Sequence, residues 1–260
     1  MKVLKFADWI LSTPAWLQAL PENLQRIFFQ FYQTFIYEDR WTFFVDGLKV
    51  TFIVTIGALL LGVIIGMIVG ILRSTHDSYR AKKPPILLRI INFICQIYLT
   101  VIRGTPMMVQ LLIMGFVIMV PKSDAQTITC AVLTLGINSG AYVAEIARSG
   151  IMSINGGQME AGRSLGLNYV QTMRYIIIPQ AFKNILPALG NEMIILLKDT
   201  SLVTVIAATD VTKAAQIIVS KTYTATVPYL CLASIYLVLV MILTKLLGIL
   251  ERRLRESDRR

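Results

Sequence analysis

The chain has 260 residues, a formal net charge of +10, 55% hydrophobic and 15% charged residues, and a mean hydropathy of +0.66. Soluble domains carry about 25% charged residues, so this composition argues against a water-soluble fold. Lys and Arg in so apolar a sequence belong at a cytoplasmic membrane face rather than on a nucleic-acid surface, and no nucleic-acid partner is expected.

Residues 1–47 place Trp9, Trp16, Trp41 and several Phe and Tyr among Asp8, Glu22, Glu38 and Asp39. Amphipathic rings favour the membrane interface, which predicts a helix lying on the outer surface. A cleaved signal peptide is the competing reading, against which Asp8 and Pro14 interrupt the apolar stretch. Residues 50–72 contain no charge and form the first span, since a crossing needs about 20 apolar residues. Residues 86–120 exceed one crossing and are interrupted by Arg89 and by Arg103-Gly104-Thr105-Pro106, giving one broken crossing or two. Residues 128–147, 185–207 and 227–250 complete the set, with Glu192, Lys198 and Asp199 inside the fourth.

Charge placement selects the count. Arg73, Arg80, Lys82, Lys83 and Arg89 follow the first span, and Arg148, Arg163, Arg174 and Lys183 precede the fourth. Lys245, Arg252, Arg253, Arg255, Arg259 and Arg260 end the chain. With all three stretches cytoplasmic, residues 86–120 and 128–147 cross once each, so five spans result, with the N-terminus outside and the C-terminus in the cytoplasm. The connections 121–127 and 209–226 are charge-poor, as outside loops should be. The expectation is an all-α integral membrane protein with an N-terminal external segment (1–47), a membrane domain (48–250) containing a cytoplasmic loop (about 148–182), and a basic tail (251–260).

Several chemistries have no residues to support them. Cys95, Cys130 and Cys231 are scattered through apolar segments without CxxC spacing, and His76 is the sole histidine. Neither a metal cluster nor a Ser/His/Asp triad can be assembled, and no GxxxxGK[ST] loop is present to hold ATP. No catalytic residue, metal or cofactor is expected.

Other features suit transport. Gly62, Gly66 and Gly70 share one face of the first span and permit close helix packing. Pro106 breaks the second span, and Thr105 as N-cap with Pro106 at the first helical position would restart it. Such a break offers a carboxylate site at Arg103, Gly104 and Thr105; a proline kink with Arg103 paired to a carboxylate elsewhere is the alternative. Glu192 and Asp199, seven residues apart, share a helix face about 10 Å apart along the axis. Each charge near the bilayer centre costs roughly 2.5–3.5 kcal/mol, so the pair requires a cationic ligand or compensating Lys198 and Arg103. Asn138-Ser139-Gly140 in the third span can line the path or pack against a neighbour. In the loop, Asn155 and Gln158 stand at capping-box spacing and Gly166 is a stop, predicting a short helix over about 157–165.

Glu160-Ala161-Gly162, three residues to Gly166, nine to Ile176 and then Ile178-Pro179 resemble the EAA loop of ABC importer permeases. Gly162 replaces the second alanine of that pattern and Ile178 its leucine. Arg103-Gly104-Thr105-Pro106 and GNEMIILLKDTSLVTVI from Gly190 are similar to the polar amino acid branch, the histidine, glutamine and arginine permease type. The resemblance implies a five-transmembrane-helix type I permease bundle that moves a polar amino acid across a prokaryotic plasma membrane by alternating access. It further implies a second permease copy or sister permease, a pair of ATPase subunits that bind the ATP, and an external amino-acid-binding protein. Glu160, Ala161, Gly162 and Gly166 would form the cytoplasmic coupling helix. Glu192 and Asp199 would contact the amino acid, with Arg103, Gly104, Thr105 and Asn138 beside them. An ion-coupled secondary transporter of a small polar or cationic solute is the alternative from another class.

Overall fold

The computed structural model describes residues 5–79 and 83–257; Arg80, Lys82, Arg259 and Arg260 of the basic stretches lie outside them. Short helices α1 (Phe6–Leu11), α2 (Ala15–Gln18) and α3 (Glu22–Phe31) precede the long α4 (Trp41–Asp77). The second span is α5 (Ile86–Gly104) followed by α6 (Met107–Ile113), and the third is α7 (Asp124–Met152). A connecting segment holds α8 (Gly156–Ser164) and the one-turn α9 (Tyr169–Thr172). After it come α10 (Ile178–Asp199), α11 (Val211–Thr222) and α12 (Thr226–Ser257). Among the described residues, α4, α5, α7 and α12 are long and apolar enough to cross a membrane, and Tyr169–Ile206 with α11, bent by 49°, forms the fifth such unit.

Small residues determine how these helices assemble. Gly62, Gly66 and Gly70 of α4 are buried against Ser139, Val143 and Ala147 of α7. The fit is reciprocal, because Gly136 and Gly140 of α7 receive Leu61 and Ile65 of α4. Close backbone approach replaces the hydrophobic drive that lipid cannot supply. α7 is consequently the enclosed helix of the bundle, while α5 and α12 turn large apolar side chains outward, Phe93, Ile97, Leu237 and Met241 among them.

Two contacts fix the bundle ends. Arg148 Nη1 lies 2.9 Å from Asp77 Oδ2, bringing the C-terminal ends of α4 and α7 together beside α8. At the opposite end, Gly47 of α4 abuts the backbone of Asp210 and Val211, and Thr51 Oγ1 accepts from Val211 N at 3.3 Å.

Several expectations need correction. The first span is longer than residues 50–72: α4 has 37 residues, about 55 Å of helix, and projects beyond a ~30 Å hydrocarbon layer. Residues 209–226 are not an open connection, since α11 occupies them and buries Val211, Ala214, Ala215 and Ile218 against α4 and its surroundings. Asp210 allows this by accepting from Thr212 N and Lys213 N at the start of α11. Thr105 does not cap a new helix; its hydroxyl donates back to Val101 O at 2.8 Å, and Pro106 is the N-cap residue. The fourth helix begins before residue 185, at Ile178, while its end in a 3-10 segment, Thr200–Ile206, agrees with the expected bound. At the N-terminus the aromatic residues do form short helices, with Trp9 packed on Phe29 and Tyr32 and with Leu24, Ile27, Phe28 and Phe31 exposed on α3.

A Cβ on Gly66 would stand 2.5 Å from Val143 and 2.8 Å from the backbone nitrogen of Ala144. Gly66→Leu should therefore cost at least the ~1–3 kcal/mol typical of overpacking. Monodisperse yield and thermal midpoint in detergent should both fall, whereas Gly104→Ala, whose Cβ meets nothing within 4 Å, should match the parent in both.

Candidate functional site

The second span breaks because Pro106 has no N–H to donate and disfavours helix in the preceding residue. Thr105 accordingly adopts φ −118° and ψ 143°. The carbonyls freed by the break are met by one side chain from the next turn. Gln110 Nε2 donates to Ile102 O at 2.7 Å, to Thr105 Oγ1 at 2.8 Å and to Thr105 O at 3.1 Å. Gln110 Oε1 accepts from Asn138 Nδ2 at 2.9 Å, tying the break to α7. α6 has only seven residues, so Arg103, rather than a helix dipole, supplies the positive charge here.

Beside the break lies a cavity of about 460 Å³ whose wall includes Arg103, Gly104, Thr105, Asn138, Glu192 and Asp199. Residues chosen from three separate sequence segments thus meet at one place. Glu192 is 6% exposed, and its Oε1 accepts from Ser139 Oγ at 2.7 Å. Ser139, Asn138 and Gly140 divide the work of their tripeptide: one holds Glu192, one faces the cavity, and the third packs against Ile65 and Tyr98. Neither Arg103 nor Lys198 forms an ion pair with Glu192 or Asp199 among the described residues. Lys198 is exposed.

Arg103 pairs elsewhere, as the kink reading allowed. Its Nη1 stands 3.7 Å from Glu145 Oε1, and its guanidinium lies 5.5 Å from the Tyr142 ring centroid. Glu145 also accepts from Arg73 and lies 3.4 Å from Arg148 Nε. Sequence reasoning passed over Glu145 and Gln110. An acidic residue seven positions beyond Asn138 in an apolar span was the available signal for Glu145; nothing local marked Gln110.

The loop residues form a separate surface. α8 starts at Asn155, whose Oδ1 accepts from Gly157 N at 2.9 Å. The capping box is formed not by Asn155 and Gln158 but by Asn168 and Gln171 at α9. Gly166, at φ +85°, ends α8 as expected, with Leu167 N bonding Gly162 O and Gly166 N bonding Arg163 O. This is a complete Schellman stop. Glu160 and Ala161 are exposed while Gly162 is buried, because a Cβ there would fall 2.5 Å from Thr172 Cγ2.

The sequence profile of the binding-protein-dependent transport system inner membrane component family matches residues 87–256. The chain belongs to this family. The permease is 37% identical to the glutamine transport system permease protein GlnP of Escherichia coli K12 over 213 residues, covering 81% of this chain and 92% of that one. It is 36% identical to the arginine transport system permease protein ArtQ of Bacillus subtilis over 218 residues, covering 83% and 94% respectively. Among solved structures, an amino acid ABC transporter crystallised with histidines matches with TM-score 0.72 and 42% identity, covering 82% of the permease and 94% of that chain. The inward-facing MetNI methionine transporter matches with TM-score 0.69 at 20% identity, covering 82% and 96%, and shares the fold.

Gln110→Leu removes the donors that satisfy the broken span while keeping the side chain's approximate size. A typical intramolecular hydrogen bond contributes about 0.5–1.5 kcal/mol net. In the permease, the half-saturating solute concentration should rise about tenfold, equivalent to ~1.4 kcal/mol, with assembly intact on size exclusion.

Proposed function

We propose that this permease is the membrane subunit of an ATP-driven importer for a polar amino acid, with its solute held in the cavity between α5, α7 and α10. The observation that carries the reading is the convergence of Glu192 and Asp199 with Arg103 around one cavity, without ion pairs between them. Intramembrane ionisable groups are costly, and the default explanation for keeping them is function. A zwitterion satisfies both signs: its ammonium, or a cationic side chain, faces Glu192 and Asp199, and its carboxylate faces Arg103. The relatives named for glutamine and arginine transport support the same solute class.

The permease performs no bond chemistry. ATP is bound and hydrolysed by a pair of partner subunits, and an external binding protein delivers the solute. Glu160 and Ala161 of α8 project from the basic end of the bundle, alongside Leu165 at 80% and Val170 at 70% exposure. That mixed acidic and apolar face suits a groove on the ATPase. Closure of the ATPase pair pulls α8, and α8 is joined to the bundle through the core of Ile151, Met173 and Ile177. A second permease copy completes the assembly. The basic stretches support a cytoplasmic α8 and C-terminus and external N-terminal helices, in the plasma membrane of a prokaryote.

Glu192→Gln keeps the acceptor for Ser139 and removes the charge. Uptake of labelled L-arginine by the reconstituted complex should need at least a fivefold higher half-saturating concentration, with unchanged copurification of the ATPase. Unaltered uptake of both L-arginine and L-glutamine would assign Glu192 a packing role.

A further inference from the structure

A second cavity, of about 560 Å³, shares Arg103, Gly104 and Tyr142 with the first. Its other polar wall residues are Arg73 of α4, Gln96 and Thr100 of α5, and Glu145 of α7. Its size lies in the range of small-molecule sites, and its wall is polar in an otherwise apolar bundle. The charge pattern inverts that of the first cavity. There two carboxylates face Arg103; here two guanidiniums, Arg73 and Arg103, converge on the single carboxylate of Glu145.

Depth places the two cavities in series. Arg73 precedes Asp77 by four residues and Glu145 precedes Arg148 by three, and Asp77 pairs with Arg148 at the bundle end that carries α8. The second cavity therefore lies about one turn inside that end, and Asn138 lies about 10 Å deeper along α7. A solute leaving the first cavity toward α8 passes Arg103 and meets Arg73.

Glu145 behaves as a resident carboxylate between cations. Its contact with Arg103 is the longest of the set at 3.7 Å, and Arg148 remains within 3.4 Å to hold it if Arg103 is released. Arg73 Nε is buried with no acceptor. Arg73 and Arg103 both line the cavity wall.

We propose that this second cavity is an exit-side binding site for a zwitterionic amino acid. The solute carboxylate faces Arg73, leaving Arg103 to a solute in the first cavity, and its ammonium faces Glu145. The site rests on the amino-acid import reading and adds a station that the Glu192 cavity does not provide.

Binding stoichiometry tests it on the nucleotide-free complex of the permease with its ATPase pair, without the binding protein, in nanodiscs, using labelled L-arginine and L-glutamine in equilibrium dialysis. Two equivalents per permease chain are expected. Gln96 and Thr100 are exposed on α5, so Gln96→Leu and Thr100→Leu each replace a polar wall group of the second cavity with an apolar one without touching a charge, and should each leave one equivalent. The remaining equivalent reports an intact first cavity and hence a folded complex. Glu192→Gln should instead weaken the other equivalent at least fivefold. Agmatine, which lacks the carboxylate, should displace arginine from the first cavity and not from the second. One equivalent in the parent, weakened by Glu192→Gln and untouched by Thr100→Leu, would overturn the exit site and leave the import reading standing. Two equivalents that both survive Gln96→Leu and Thr100→Leu would overturn it as well. Loss of one equivalent in Thr100→Leu with no effect of Glu192→Gln would uphold the exit site and count against the Glu192 cavity. No binding by the parent complex would contradict both.

Discussion

The contact between α4 and α7 is the constraint on which the rest of the permease depends. Glycine and alanine surfaces let two long helices meet backbone to backbone, and several polar elements of the site are referenced to α7. Ser139 orients Glu192, Asn138 anchors Gln110, and Glu145 collects Arg73, Arg103 and Arg148. Were α7 displaced outward by the width of one methyl group, the hydrogen bonds to α10 and α6 would open together. The glycines of α4 therefore determine site geometry without touching the site.

A second principle is the separation of opposite charges along one path. Buried ion pairs are stable only when geometry offsets the loss of hydration. The permease satisfies this at the end beside α8, where Arg73, Arg148, Asp77 and Glu145 interlock. Deeper in the bundle it leaves Glu192 with a hydroxyl donor in place of a cation. Arg103 stands between the two regimes, pairing loosely with Glu145 while facing the cavity of Glu192 and Asp199. The break at Pro106 makes this possible by ending α5 within the bundle.

Much of this architecture is legible in the sequence because lipid imposes simple rules. Uncharged runs mark crossings, and the positions of Lys and Arg count them. The spacing of Gly62, Gly66 and Gly70 identifies the packing face, and Gly166 marks the end of α8. Intramembrane Glu192, Asp199 and Arg103 stand out by their cost alone. The features that escaped are those settled by tertiary contact. α11 reads as a loop because residues 209–226 are too polar and short to cross, yet Asp210 caps a helix there whose other face is covered by α4. The role of Gln110 depends on carbonyls that a proline frees several residues away. Thr105 carries the signature of an N-cap, but its hydroxyl finds the carbonyl of Val101 first. Gly162 departs from the family alanine for a reason visible only when Thr172 is seen filling the space.

The importer reading makes energy source the decisive quantity. Proteoliposomes containing the permease with its ATPase, supplied with binding protein and labelled L-glutamine or L-arginine, measure it directly. Uptake should require both ATP and the binding protein, and should be indifferent to imposed proton or sodium gradients. Uptake by the permease alone, driven by an ion gradient and unaffected by ATP, would contradict the account and identify an ion-coupled carrier built on the same bundle.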